Sequence, residues 1–200
     1  MYFLILIDME KKGKCINCSK EFELPKKCVI PLCSECSQHQ ISYFKALEDK
    51  APYDPPDLIE PNLWLGSYRA ASNKRNLQEL NIKNILTVGN YMKQKFPETF
   101  KYLQVLIDDD EEEDILSVLP KLVKFIEDSL NNKEGILVHC LGGISRSATI
   151  VTAYIMKSRK YRVKEALKFV KGKRTWISPN SGFIKQLKEY EDLINKQVNS

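Results

Sequence analysis

The sequence predicts an α/β protein with a central sheet flanked by helices, together with a small N-terminal module of different character. In residues 57–200, short apolar runs alternate with segments of helical period, as in sheets covered by helices. Five of the six cysteines lie between Cys15 and Cys36, whereas Cys140 stands alone. Residues 51–56 contain three prolines and form a linker or an extended entry strand. We therefore expect a module over 1–50, a linker over 51–56 and a larger domain over 57–200.

Four apolar runs and two helical periods define the larger domain. Buried strands are indicated at residues 63–65, 82–88, 102–107 and 136–139. Apolar residues three and four positions apart predict two helices, one over 115–130 and one over 183–194. Since α/β sheets bind ligands beyond the carboxyl ends of their strands, the residues after His139 are candidates for a site.

Composition and charge exclude several classes of protein. A hydrophobic content of 43% and a charged content of 28% are ordinary for a globular domain. A net charge of +5 favours acidic or phosphorylated partners slightly and lies far from a nucleic-acid-binding signature. The apolar run 2–7 is too short for a signal peptide or a membrane span, and Met9 is an alternative start. We expect an intracellular protein, cytoplasmic and/or nuclear.

The segment that follows residue 139 has the order of a phosphate-binding loop. A strand ends at Cys140, Gly142 and Gly143 allow a tight turn, and a helix begins near Arg146. Amide N–H groups in such a loop and at a helix N-terminus favour a bound anion and a thiolate. Arginine adds two parallel hydrogen bonds to phosphate oxygens. A core cysteine beside a chance Gly-Gly turn is the plain alternative. The expected phosphate-binding residues are Leu141, Gly142, Gly143, Ile144, Ser145 and Arg146.

The run HCLGGISRS over 139–147 resembles the His-Cys-x5-Arg-Ser signature of the protein tyrosine phosphatase superfamily, and is most similar to its dual-specificity branch. Gly142 departs from the alanine that is common there. Further similarity lies in LWLGS at 63–67, in residues 82–88 and in PNSGF at 179–183 followed by Gln186 and Leu187. The resemblance covers about residues 56–195. It implies the phosphatase α/β fold.

The resemblance also implies a two-step mechanism that needs no metal. Cys140 attacks phosphorus and forms a phosphocysteine, which water then hydrolyses. Arg146 stabilises the transferring group, and the Ser147 hydroxyl helps the thiolate to leave. His139 is expected to fix the loop by hydrogen bonds, and Asn180 to support it from behind.

The acidic run 108–114 offers seven candidates for the general acid, although most such runs are solvated surface. In the dual-specificity branch the acid commonly follows a strand tyrosine by seven residues. Counting from Tyr102 gives Asp109, and Asp108 remains the alternative.

The N-terminal cysteines form two C-x2-C pairs, Cys15 with Cys18 and Cys33 with Cys36. Four thiolates in this pattern suit a structural Zn²⁺ site of the ribbon type. Cys28 and His39 are spare ligands, and a cluster of reduced cysteines in a tail is the alternative. The module could serve docking to a protein partner, dimerisation or stability.

We therefore predict a protein phosphatase that acts on phosphotyrosine and on phosphoserine or phosphothreonine. Three alternatives stay open: a phosphate-binding pseudophosphatase, an adaptor whose zinc module is the functional part, and a phosphatase of a non-protein substrate such as a phosphoinositide. Neutral side chains at Leu141, Ile144 and Ser145 favour phosphoprotein substrates over more highly charged ones.

Overall fold

The computed structural model describes residues 12–14, 21–23, 54–90 and 92–198. The chain divides into two compact units, Met1–Pro52 and Tyr53–Ser200. In the first unit, β1 (Lys12–Lys14) and β2 (Glu21–Glu23) pair antiparallel. The cysteines and the histidine considered for zinc binding lie outside the described residues.

The second unit contains a five-stranded sheet in the order β3-β4-β7-β5-β6. Only the β3–β4 pair is antiparallel. The strands are β3 (Asp57–Glu60), β4 (Leu63–Gly66), β5 (Ile82–Val88), β6 (Lys101–Val105) and β7 (Gly135–His139). The four strands predicted from apolar runs are confirmed, with small shifts at their ends, whereas β3 was not predicted.

Helices cover the sheet, which confirms the predicted α/β class. They are α1 (Lys74–Glu79), α2 (Leu119–Asn131), α3 (Arg146–Arg159), α4 (Val163–Lys173) and α5 (Ser181–Val198), with a 3-10 turn at Ala70–Ser72. The two helices predicted from apolar periodicity correspond to α2 and α5. In the described part of the chain, no helix is long and apolar enough to cross a bilayer.

Strand β7 lies at the centre of the sheet and positions the loop that begins at Cys140. All five of its residues are buried, because β4 and β5 flank it and helices cover the faces of the sheet. Val138 belongs to the main core, whereas Leu137 belongs to a smaller cluster with Ile82, Ile85 and Phe100. Apolar residues therefore run without alternation to the carboxyl end of the strand. The chain leaves the sheet at Cys140, with α3 beginning six residues later.

Candidate active site

The loop 140–146, called the phosphate loop below, is held from outside by its carbonyl oxygens. The Leu141 carbonyl accepts from the Tyr68 amide at 3.0 Å, and the Ile144 carbonyl accepts from the Ser178 amide at 2.9 Å. The carbonyls of Gly142 and Gly143 accept from the Arg174 guanidinium at 3.1 and 2.8 Å. Four consecutive carbonyl groups thus point away from the centre of the loop.

A fixed carbonyl also fixes the next amide. In a planar trans peptide, C=O and N–H point in opposite directions, so the amides of residues 142–145 turn toward the inside of the loop. The Gly143 amide shows this directly, because it donates to Cys140 Sγ at 3.2 Å. The loop is a nest of N–H donors suited to an oxyanion.

Cys140 lies at the centre of this nest. It is 1% exposed as a residue, and the Ser147 hydroxyl donates to its Sγ at 3.2 Å. Gly143 has φ +66°, and a Cβ there would lie 2.5 Å from the Gly66 carbonyl oxygen at the end of β4. Only glycine fits this position, both for its backbone angle and for its space.

Arg146 opens α3 and reaches across the pocket. Its Nη1 donates to the Ile107 carbonyl at 3.2 Å, and its Nε lies 3.6 Å from Asp109 Oδ2. Gly89, with φ +137°, leaves the space this side chain needs, because a Cβ there would collide with Arg146 Nη1. The buried Nε has no hydrogen-bond partner among the described residues.

Of the two aspartates proposed as the acid, only Asp109 faces the pocket lining. Its Oδ1 accepts from the Ser145 hydroxyl at 2.6 Å and from Asn180 Nδ2 at 3.0 Å. Asp108 instead accepts from Asn90 Nδ2 at 2.7 Å. Its position in the pocket therefore favours Asp109 over Asp108 as the general acid.

Helix α5 holds the acidic run 108–114, called the acid loop below. The Gln186 side chain accepts from the amides of Ile115 and Leu116, both at 2.9 Å, and donates to the Glu113 carbonyl at 2.8 Å. A Cβ at Gly182 would collide with the Glu111 carbonyl oxygen. The glycine and the glutamine of the PNSGFIKQL segment therefore let the acid loop approach the start of α5.

His139 supports the phosphate loop in its neutral form. Its Nδ1–H donates to the Cys140 carbonyl at 3.2 Å, so Nε2 accepts from the Thr87 hydroxyl at 2.9 Å. Burial lowers the pKa of His139 to about 4, against the opposing effect of the Cys140 carbonyl. A histidine that stays neutral near pH 7 orients its neighbours and carries no charge to the site.

Arg174 contacts the loop in a way the sequence did not reveal. Its side chain is completely buried and pairs with Asp57 at 2.7 Å, in addition to the two loop carbonyls. The residue directly follows α4, whose lysines are exposed, so the local sequence gives no sign that Arg174 is buried. It lies five residues before Pro179 of the PNSGF segment, and nothing in that local order points to the phosphate loop.

The structure brings most of the predicted site residues to one pocket of about 510 Å³. His139 and Ser147 are buried behind it, and Gly143 lies in the loop beneath it. The described residues contain no group of three metal-ligating side chains close enough to hold an ion. The pocket is lined by Asp109, Cys140, Leu141, Gly142, Ile144, Ser145, Arg146, Ser178 and Asn180.

Fold and loop together define a protein built to hold a phosphate group over a cysteine. The dual specificity phosphatase catalytic domain family matches residues 63–193, and the chain belongs to this family. It is therefore a dual-specificity protein phosphatase, a class that needs no cofactor for catalysis.

Curated relatives and solved structures agree with this assignment. Dual specificity protein phosphatase 1 of Arabidopsis thaliana is 43% identical over 68% of this chain and 69% of its own length. Human dual specificity protein phosphatase 16 is 44% identical over 72% of this chain, but only 22% of that protein is covered. A mouse dual specificity phosphatase solved with zinc tungstate is 31% identical, with a TM-score of 0.70, covering 75% of this chain and 94% of that one.

Proposed function

We propose that this phosphatase acts through a phosphocysteine formed on Cys140. The observation that carries the proposal is the contact of Cys140 Sγ with the Gly143 amide and the Ser147 hydroxyl, both at 3.2 Å. Two hydrogen-bond donors stabilise a thiolate, and the remaining inward amides are left for phosphate oxygens. A similar mouse phosphatase was solved in complex with zinc tungstate, which contains an oxyanion, and this supports oxyanion binding by proteins of this fold.

In the first step, Cys140 Sγ forms a bond to phosphorus while the bond from phosphorus to the ester oxygen breaks. Asp109 gives its proton to the departing oxygen. The donors Ser145 and Asn180 both bind Asp109 Oδ1, so we assign the proton to Oδ2, which lies 3.6 Å from Arg146 Nε. Arg146 and the loop amides stabilise the charge on the transferring group.

In the second step, water attacks phosphorus and the bond between sulfur and phosphorus breaks. The Asp109 carboxylate takes a proton from the water, which restores the acid and yields inorganic phosphate. The Ser147 hydroxyl donates to the sulfur and so stabilises the thiolate as it leaves. Asn180 supports both loops, because its backbone N–H donates to Ser145 Oγ while its side-chain Nδ2 donates to Asp109.

The proposed substrates are phosphotyrosine and phosphoserine or phosphothreonine in proteins. The pocket rim carries two apolar side chains, Leu141 at 38% and Ile144 at 42% exposure. Such a rim suits the apolar parts of a polypeptide better than an inositol ring bearing several phosphates. The likeness to the phosphatase solved with PI(5)P, at 22% identity, extends to the fold alone.

The test is a panel of phosphopeptides and one phosphoinositide, with Cys140→Ser as the control. The wild-type protein is expected to release phosphate from peptides of both classes. The variant should lose turnover yet still bind tungstate, because the amide nest remains. Turnover in Cys140→Ser near the wild-type rate would overturn the proposal. A phosphoinositide hydrolysed faster than every peptide would overturn the substrate class.

We further propose that Cys15, Cys18, Cys33 and Cys36 bind one structural Zn²⁺. The proposal is supported by the spacing of the two C-x2-C pairs. Metal analysis of reduced full-length protein should find about one zinc per chain, given four-thiolate coordination. Retention of that zinc after Cys15→Ser with Cys18→Ser would contradict the ligand set.

A further inference from the structure

Arg174 is a buried cation in a position where burial must be compensated. Its side chain is 0% exposed, although α4 before it carries several exposed lysines. A buried charge is costly unless it is paired and hydrogen-bonded. Asp57 at 2.7 Å and Asp54 at 3.5 Å supply the opposite charge, and Trp176 covers the guanidinium with its ring centre 4.5 Å away.

Two nitrogens of the same guanidinium donate hydrogen bonds to the phosphate loop. Nε donates to the Gly143 carbonyl at 2.8 Å, and Nη2 donates to the Gly142 carbonyl at 3.1 Å. These two carbonyls belong to the peptide units whose N–H groups come from Gly143 and Ile144. Because each unit is planar, holding the oxygen outward aims the amide inward.

The two peptide units held by Arg174 lie where the backbone is least restricted by side chains. Gly142 and Gly143 have no Cβ, so rotation of the peptide plane between them meets little steric resistance. The two outer carbonyls of the loop are held by the amides of Tyr68 and Ser178. Arg174 is thus the side chain that orients the middle of the nest.

We propose that Arg174 is a positioning residue for phosphate binding, fixing the Gly143 and Ile144 amides toward the phosphate and the Cys140 sulfur. The inference rests on the proposed function, because it gives those amides a role in binding the transferring group. The planar fork of arginine is needed, since one ammonium group cannot reproduce two parallel bonds to carbonyls together with the contact to Asp57.

The test compares Arg174→Lys with Asp57→Asn. The lysine keeps a positive charge for Asp57 but loses the pair of hydrogen bonds to the Gly142 and Gly143 carbonyls. The asparagine removes the charge partner yet keeps Arg174 and an oxygen acceptor for Nη1. Arg159→Lys, which alters the remote ion pair with Glu60, is the matched arginine control. Each protein is assayed well below its own Tm for tungstate affinity by calorimetry and for hydrolysis of an aryl phosphate.

Arg174→Lys should lower tungstate affinity and kcat by about 10- to 100-fold, by analogy with the range found when residues that orient metal ligands are changed. Asp57→Asn and Arg159→Lys should bind tungstate within about threefold of wild type, because the loop carbonyls stay held. Wild-type tungstate affinity in Arg174→Lys would overturn the inference and reduce the residue to a stabilising role. An inactive wild-type protein would overturn the proposed function instead, while the tungstate comparison would still decide the role of Arg174.

Discussion

The phosphate loop and the acid loop face one pocket but are held in different ways. Cys140 is 1% exposed, and four successive carbonyls behind it are bonded to fixed donors. Asp109, with its side chain 37% exposed, is positioned by side chains from other elements. The phosphate loop is therefore held through its own backbone carbonyls, whereas the acid loop is held largely by side chains, among them Gln186 of α5.

Because the two loops are held differently, the two halves of the site can be altered separately. Damage to the contacts of α5 should misplace the acid and leave oxyanion binding intact. Damage to the backbone of the phosphate loop should weaken oxyanion binding itself. Substrates with good leaving groups separate the two cases, because they need the proton less.

Among variants of the acid loop, Asp109→Asn should lose the most activity. The amide keeps an oxygen for Ser145 and Asn180 but cannot deliver a proton. Hydrolysis of an alkyl phosphate should slow by about 10²–10⁴-fold, the usual contribution of general acid catalysis. The loss should be smaller for an aryl phosphate, and tungstate affinity should not fall. Steady-state rates on the two substrates measure both effects.

Asp108→Asn is the matched control for this prediction. Its carboxylate accepts from Asn90 and lies outside the pocket lining. We expect the rate to stay near that of wild type on both substrates. A leaving-group-dependent loss in Asp108→Asn, absent from Asp109→Asn, would show that the acid is one residue earlier.

The sequence located the phosphate loop more easily than its supports because the loop is consecutive. Strand, cysteine, glycines and arginine follow one another in HCLGGISRS, so local order carries the information. Arg174 meets Asp57 across 117 positions, and Asn180 meets Asp109 across 71. Contacts of that separation leave no local pattern in a single sequence.

The elements that were not predicted from the sequence were missed for similar reasons. Strand β3 has four residues after two prolines and buries only Ile59, so it lacks an apolar run. Helix α4 buries Val163, Ala166 and Val170 between lysines, and its charge concealed a weak apolar period. Asp109, which family spacing indicated, lies in the pocket lining, and so does Asn180, which was expected only behind the loop. Their catalytic roles remain predictions.

A smaller effect is expected for Gly182→Ala, which tests the dependence of the acid loop on α5. Alanine is the better helix former by roughly 1 kcal/mol, but its Cβ would collide with the Glu111 carbonyl oxygen. We expect the collision to outweigh helix propensity, because a backbone atom cannot rotate away. Alkyl phosphate hydrolysis should fall by about tenfold, as a misplaced acid loses part of its contribution, with tungstate affinity unchanged.

Gly172→Ala serves as the control for the helix term. Gly172 lies in α4, and a Cβ there would meet nothing within 4 Å. This variant should raise the free energy of unfolding by up to about 1 kcal/mol and leave activity unchanged. If Gly182→Ala behaved in the same way, the acid loop would not depend on its close approach to α5.

The smallest effect is expected for Gly142→Ala, which restores the residue common in similar phosphatases. A Cβ at position 142 would meet only the Ile144 side chain, at 3.1 Å from its Cδ1, and that flexible chain can move. Gly142 has no positive φ, so alanine costs no backbone strain and restricts the unfolded chain. Thermal unfolding should show that the free energy of unfolding rises by about 0.4–1 kcal/mol, and kcat should stay within about twofold of the wild-type value.

Gly143→Ala is the contrasting variant. Gly143 has φ +66°, and a Cβ there would lie 2.5 Å from the Gly66 carbonyl oxygen, so this substitution should destroy oxyanion binding. If the two variants bound tungstate equally well, the amide nest would not depend on its backbone angles. That result would contradict the view that the phosphate loop is held through its backbone.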